Sequence, residues 1–282
     1  MSSRLNITLN IYDVLICMKK CIFHLRLTLS VLLLLAVFLV PAWPLLASAA
    51  DAGQAYLAAQ QKRLTAEQAY KTDLAAFNAD KTPENEKQAV TSGKVLLSAW
   101  LDEAQTWLEW KDAQAQEDAN LPQNLRDDIH SDVAKNLEKI SGLRQDVDGV
   151  ETLGQGVLVF LKMIGAYGGL LADVARNTGA AWVIGGNKIL ANADAYEVKL
   201  RTAAEKKNNS AEIIPKLDMA KSALAAARNN VNAAEAAYKL VVTPGTPLVR
   251  FADGNRKLNQ ARLDLLSAQA QMAGALSLII SK

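Results

Sequence analysis

Residues 213–241 read IIPKLDMAKSALAAARNNVNAAEAAYKLV, and their spacing decides the fold. Ile213, Leu217, Ala220, Leu224, Ala227, Val231, Ala234, Tyr238 and Val241 stand alternately four and three positions apart. An apolar residue every 3.5 positions is the seam of a helix that lies along another helix. Pro215 fits the first turn, where its missing N–H removes no bond. A helix from Pro215 to Val242 would be a rod of about 42 Å. Thr243-Pro244-Gly245-Thr246-Pro247 stops it, because neither proline can continue a helix. A second seam then follows through Phe251, Gly254, Leu258, Ala261, Leu265, Ala268, Met272, Ala275 and Ile279. Two long seams joined by a short Pro/Gly connection predict an antiparallel coiled-coil hairpin over 213–282.

Upstream segments carry the same period. Tyr56, Ala59, Ala66, Tyr70, Leu74 and Phe77 mark a helix ending near Asp80. Thr82-Pro83-Glu84 opens the next, with Thr82 as N-cap and Pro83 in the first turn. That helix directs Val90, Leu97, Trp100, Ala104 and Trp107 inward. Asn120-Leu121-Pro122 punctuates, and Leu125, Ile129, Val133, Leu137, Ile140 and Val147 trace a third helix. Alanine fills 42 positions after Ala50, and no useful period-2 segment appears. The expectation is an all-α, elongated helical bundle formed by one domain over 51–282. Long antiparallel hairpins build it, around a glycine-rich apolar central hairpin at 142–190.

That central segment holds ten of the 15 glycines. Val157, Phe160, Ile164, Tyr167, Leu171 and Val174 share one helical face. Gln155, Lys162, Ala166, Gly169, Asp173 and Arg176 share an offset small and polar face. Asn177-Thr178-Gly179 reads as a turn, with an apolar helix containing Trp182 after it. Gly165 and Gly169 stand one turn apart, which permits close backbone approach. Two readings stand: a hairpin buried in the bundle, or one that inserts into a membrane through Val157, Phe160, Ile164, Gly165, Tyr167, Gly169 and Trp182. In this organisation the chain resembles the α-helical pore-forming toxins of the cytolysin A type, which implies a masked membrane-active hairpin at 153–190. The C-terminal hairpin, with Ala237-Tyr238-Lys239-Leu240 followed by Leu258 and Ala261, resembles the hairpins of periplasmic efflux adaptors. That likeness implies an efflux or secretion accessory role, although the adaptors' β-rich portions have no counterpart here.

The N-terminus carries an address. Leu27 to Val40 is apolar apart from Thr28 and Ser30, follows Lys19, Lys20 and Arg26, and precedes Ala47-Ser48-Ala49. Such a basic, apolar and small-residue series reads as a signal peptide over 1–50, cleaved after Ala49 or Ala50. The apolar core is short for a bilayer span. Met18-Lys19-Lys20 is the more natural start, which makes 1–17 an upstream extension. The expectation is a periplasmic or extracellular protein. Processing takes four of the 31 basic residues and one of the 29 acidic ones, leaving 27 and 28 and a formal charge of −1. Cys17 and Cys21 leave too, which excludes a disulfide scaffold, a cysteine nucleophile and a Cys/His zinc site in the processed form. The charge balance leaves no footprint for nucleic acid.

No motif carries chemistry. Gly154-Gln155-Gly156 lacks the third glycine and the preceding strand of a dinucleotide fingerprint. Asp146-Val147-Asp148-Gly149 resembles part of a calcium loop, but Arg144 and Gln155 would occupy its first and last ligand positions. His130-Ser131-Asp132 has triad residue types that adjacent helical positions turn apart. The expectation is no catalytic residue, no metal, no cofactor and no enzymatic activity. Trp100, Trp107 and Trp110 lie within three turns, as core packing or as a partner surface. What remains is an exported structural or interaction protein that binds a protein partner or itself, with membrane contact as the alternative.

Overall fold

A computed structural model describes residues 47–281; residues 1–46 of the expected signal peptide 1–50 lie outside the described residues. Among the described residues there are six α-helices and no strand: α1 (Ala47–Ala79), α2 (Pro83–Glu117), α3 (Gln123–Asp148), α4 (Leu153–Ala204), α5 (Ser210–Lys239) and α6 (Pro247–Ile280). The chain is an all-α helical bundle. The expected cleavage point falls in the first turn of α1.

Caps fix two of the boundaries. Thr82 accepts from the Asn85 N–H at 3.3 Å while Pro83 opens α2. Thr152 accepts from the Gln155 N–H at 3.2 Å, and Gln155 Oε1 accepts from the Thr152 N–H at 3.0 Å. This reciprocal capping box starts α4, so the Gly154-Gln155-Gly156 run is the first turn of a helix.

Consecutive helices run antiparallel. Gly53 meets Trp110 across α1 and α2, His130 meets Asp112 across α2 and α3, and Arg176 meets Asp132 across α3 and α4. Arg201 meets Asp218 across α4 and α5, and Asn230 meets Asp264 across α5 and α6. α4 contacts α2, α3, α5 and α6, so it is the spine on which an N-terminal and a C-terminal layer are mounted. Its 52 residues extend about 78 Å.

The expected central hairpin is corrected by this spine: α4 continues unbroken through Asn177, Thr178 and Gly179. Gly179 keeps negative φ there, as every described glycine does. Asn177 does not fold back on its own backbone, because its Nδ2 donates to Asp132 Oδ2 on α3 at 3.2 Å. Gly179 makes room instead. A Cβ built on it would lie 2.3 Å from Tyr238 Cγ, and one on Gly254 of α6 would lie 2.4 Å from Tyr238 Cε1. The Tyr238 ring of α5 is therefore seated between two bare backbones. Its hydroxyl donates to Asn255 Oδ1 at 2.6 Å, and Trp182 and Phe251 close round it with centroids 6.5 and 5.7 Å away.

The C-terminal hairpin follows its expected seams. Every seam residue of α5 from Ile213 to Tyr238 is buried, as is Val241 just beyond it. On α6 all are buried except Leu258 and Leu265, which are half-buried. One boundary differs, since α5 begins at Ser210 and Pro215 stands inside it. The turn ahead of the proline carries Ile213 into the core, so tertiary packing keeps it helical.

Gly179→Ala and Gly254→Ala are expected each to destabilise the chain by about 1–3 kcal/mol, because the methyl group overpacks the Tyr238 ring. Gly142→Ala, in open space on α3, is expected to stabilise by about 0.5–1 kcal/mol through helix propensity. Urea unfolding of the three variants checks the contrast; equal effects at all three would refute the seating.

Candidate interaction surface

The tryptophan cluster is turned onto the chain's own helices. Trp100 meets Phe160 and Tyr167 of α4 edge-on at 5.9 and 6.4 Å, and its carbonyl accepts from the Tyr167 hydroxyl at 2.7 Å. Arg63 of α1 lies over its indole at 5.7 Å and pairs with Glu103. Trp107 is half-buried against the core of α2, α3 and α4. Trp110 stacks on Tyr56 of α1 at 5.6 Å. Burial pushes the Tyr167 phenol well up, and the Glu103 carboxylate adds to this against the opposing Arg63.

The charged residues of the apolar segment are likewise engaged inside the chain. Lys162 pairs with Asp146 of α3 at 2.5 Å. Arg176 bridges Asp132 at 2.6 Å and Asp173 at 2.9 Å. Asn136, 1% exposed, donates from Nδ2 to the Asp132 carbonyl and to Asp173 Oδ2, and its Oδ1 accepts from Lys139. Every polar atom of this buried asparagine is satisfied, which specifies how α3 and α4 slide against each other. The crevice beside it, lined by Ile140, Leu143, Ala166 and Tyr167, has about 10 Å³ of room, the space of one water.

His130, Ser131 and Asp132 point to separate neighbours. His130 Nδ1 lies 2.7 Å from Asp112 Oδ2, Asp132 faces Arg176, and Ser131 is exposed. Among the described residues no three His, Cys, Asp or Glu side chains gather as a metal site would require.

The other residues singled out on α4 divide. Tyr167, Phe160 and Trp182 are packed, Val157 is half-buried, and a Cβ built on Gly169 would lie 3.7 Å from Thr243 Oγ1. Ile164 and Gly165 are exposed. Gly165 belongs to, and Ile164 borders, a face that the sequence reading did not isolate. Gly154, Leu158, Leu161, Gly165, Gly168, Ala172, Ala175, Gly179, Val183, Gly186 and Leu190 recur at steps of three and four along one side of α4. Ala172, Ala175, Gly179, Val183 and Leu190 are buried on the C-terminal layer. Before Gly169 the same seam is bare: Leu158 is 67% exposed and Leu161 56%. No side chain lies within 4 Å of a Cβ built on Gly165 or Gly168. The seam thus outlasts its internal partner. The exposed tip of the α5–α6 hairpin, with Leu240, Val242, Leu248 and Val249, stands where the cover stops.

Comparison of the chain with known protein-family models, with curated proteins and with solved structures returns no match.

Lys111 offers a test of this packing. Burial holds its ammonium down at about 8, although Nζ lies 4.3 Å from the Trp110 ring and donates to Gln114 Oε1 at 3.0 Å. Between pH 8 and 10.5 the unfolded chain holds a proton that the folded chain has released, so stability rises with pH in that window. Lys111→Met is expected to be more stable than wild type at pH 7, by on the order of 1 kcal/mol. The difference should shrink as pH climbs through that window; a difference that stays constant in denaturant titrations would contradict the burial.

Proposed function

We propose that the chain is an exported, non-enzymatic protein that works through contacts made by its helix surfaces. The observation that carries this reading is the apolar seam of α4, which continues past the helices that cover it. Exposed contiguous apolar surface on a folded chain marks an interaction site. The triad-type residues of α3 support the non-enzymatic part, since His130 and Asp132 are each held by a different partner. Helical shape and surface are then the means of action, and the partner is a protein.

A second reading is a membrane-active protein that inserts the segment 153–190. It is favoured by an 18-residue window of α4 that is apolar enough to cross a bilayer and of which only 17% is buried. The ion pairs of Lys162 and Arg176 with Asp146 and Asp132 of α3, and the hydrogen bond that Asp173 accepts from Asn136, weigh against it, because insertion would strip these charges of those partners.

Cell fractionation with N-terminal sequencing tests the proposal. The expected result is a chain beginning at Ala50 or Asp51 in the periplasm or medium, and one kept in the cytoplasm with its leader would refute export. Dye release from lipid vesicles is expected to be absent; release abolished by Leu158→Glu would replace the first reading with the second.

A further inference from the structure

The start of α1 and the end of α2 meet at a carboxylate. Glu117, the last residue of α2, is half-buried, and its Oε1 accepts from the Ala49 N–H in the first turn of α1 at 3.2 Å. Packing holds the contact in place. Ala49 is 3% exposed, a Cβ built on Gly53 would lie 3.1 Å from the Trp110 indole, and Tyr56 stacks on the same ring. The first N–H groups of a helix have no partner inside it, so Glu117 caps α1 from the neighbouring helix.

This end of α2 holds more negative charge than the cap uses. No basic residue stands in its last turn, and antiparallel pairing sets the negative end of its dipole beside the start of α1. Asp118 follows. Its Oδ1 accepts from the Asn120 backbone and side chain, while its Oδ2 is buried with no donor. Arg126 of α3 reaches the Gln116 carbonyl at 3.2 Å, and Lys111 is engaged by Gln114. Among the described residues no cation pairs with Glu117 or Asp118.

Removal of the leader changes what Glu117 faces. Hydrolysis of the amide between Ala49 and Ala50 consumes one water, leaves a carboxylate on Ala49 and makes the Ala50 nitrogen an ammonium. The Ala49 N–H departs with the leader, so the half-buried carboxylate loses its donor. The new ammonium stands one residue further along α1, about 1.5 Å of rise, and a cut after Ala50 would place it about 3 Å along. A glutamate side chain spans either distance. An ammonium alone at a helix start opposes the dipole and frays the first turn. Glu117 across the interface and Asp51 beside it offset that repulsion.

We infer that Glu117 is the docking site for the α-ammonium that leader removal creates, and that this ion pair latches the start of α1 onto the end of α2. The inference rests on the reading that the chain is exported and processed, and it gives that processing a structural consequence.

The chain purified from the periplasm or medium tests it, once N-terminal sequencing has placed the cut. Trace acetylation with acetic anhydride from about pH 6 to 10, read by mass spectrometry on the N-terminal peptide, reports how tightly the α-amine holds its proton. Wild type is expected to hold it about threefold more tightly than Glu117→Gln, which keeps the acceptor oxygen and loses the charge. Glu138→Gln, exposed on α3, is expected to match wild type. The same titration of wild type in urea needs no variant, and unfolding should remove the same factor. A proton held more tightly by the folded chain means that the latch stabilises below the ordinary α-amine range and is lost as pH rises above it. Equal values for wild type, Glu117→Gln and the unfolded chain would overturn the pairing, as would an equal fall in Glu138→Gln. Those values on a chain cut at Ala50 or Asp51 leave export standing. A leader found intact refutes the export reading itself and removes the ammonium with it.

Discussion

The Tyr238 ring between Gly179 and Gly254 is the contact on which the rest of the bundle depends. It joins three helices at one point and sets how closely α4, α5 and α6 approach, because each glycine offers backbone where any other residue would offer a methyl group. The alanine-lined seam of α5 is otherwise short of bulk: Ala220, Ala227 and Ala234 are fully buried yet remove little area each. Such a seam gains from long, close contact, and close contact needs its axial register fixed. A large ring lodged in two notches does that, and its hydroxyl adds direction through Asn255. The same device explains why α4 tolerates glycine at 179 despite a propensity cost of about 1 kcal/mol.

The N-terminal layer solves the same problem with polarity. Leucine, isoleucine and tryptophan supply its buried area, but a smooth apolar face between α3 and α4 would allow sliding by a turn. Asn136 and Arg176 forbid this, since a shift of one turn would leave Asp132 or Asp173 facing apolar neighbours without a donor. Two layers with different chemistry are thus mounted on one rod. Continuity of α4 is the requirement they share, and Thr152 with Gln155 at its start secures the end that α5 and α6 do not reach.

The local period made the C-terminal hairpin legible residue by residue, because seam spacing is a property of each helix alone. Thr82 was legible for the same reason: a cap acts within four residues. What the sequence concealed is tertiary. Asn177-Thr178-Gly179 has turn chemistry, but Asp132 takes the asparagine and Tyr238 takes the glycine, so neither residue spends its preference on a turn. Pro215 reads as a helix start until the burial of Ile213 carries the helix ahead of it. The tryptophans read ambiguously because a stripe at 100, 107 and 110 is compatible with either side of a helix; the position of α1 and α4 decides. The Thr152-to-Gln155 capping box was visible in principle, since its partners stand three residues apart around the Gly154-Gln155-Gly156 run that does not fit a dinucleotide fingerprint.

The exposed seam was also visible in principle, at steps of three and four from Gly154. It was hidden by a grouping that followed the large apolar residues, since a face alternating leucine with glycine has no conspicuous stripe. Physically that alternation is what matters. Glycines at 154, 165 and 168 each lower the intrinsic helicity of the part of α4 whose seam is bare. Gly179 and Gly186 have the same liability and offset it with contacts to Tyr238 and Val231. The first turns of α4 have no such contact on this side, so their order rests on the capping box and on the α2–α3 face alone. Anything that covers Leu158 and Leu161 therefore stabilises the helix it binds. In this chain the formation of the surface and its occupation are thermodynamically linked.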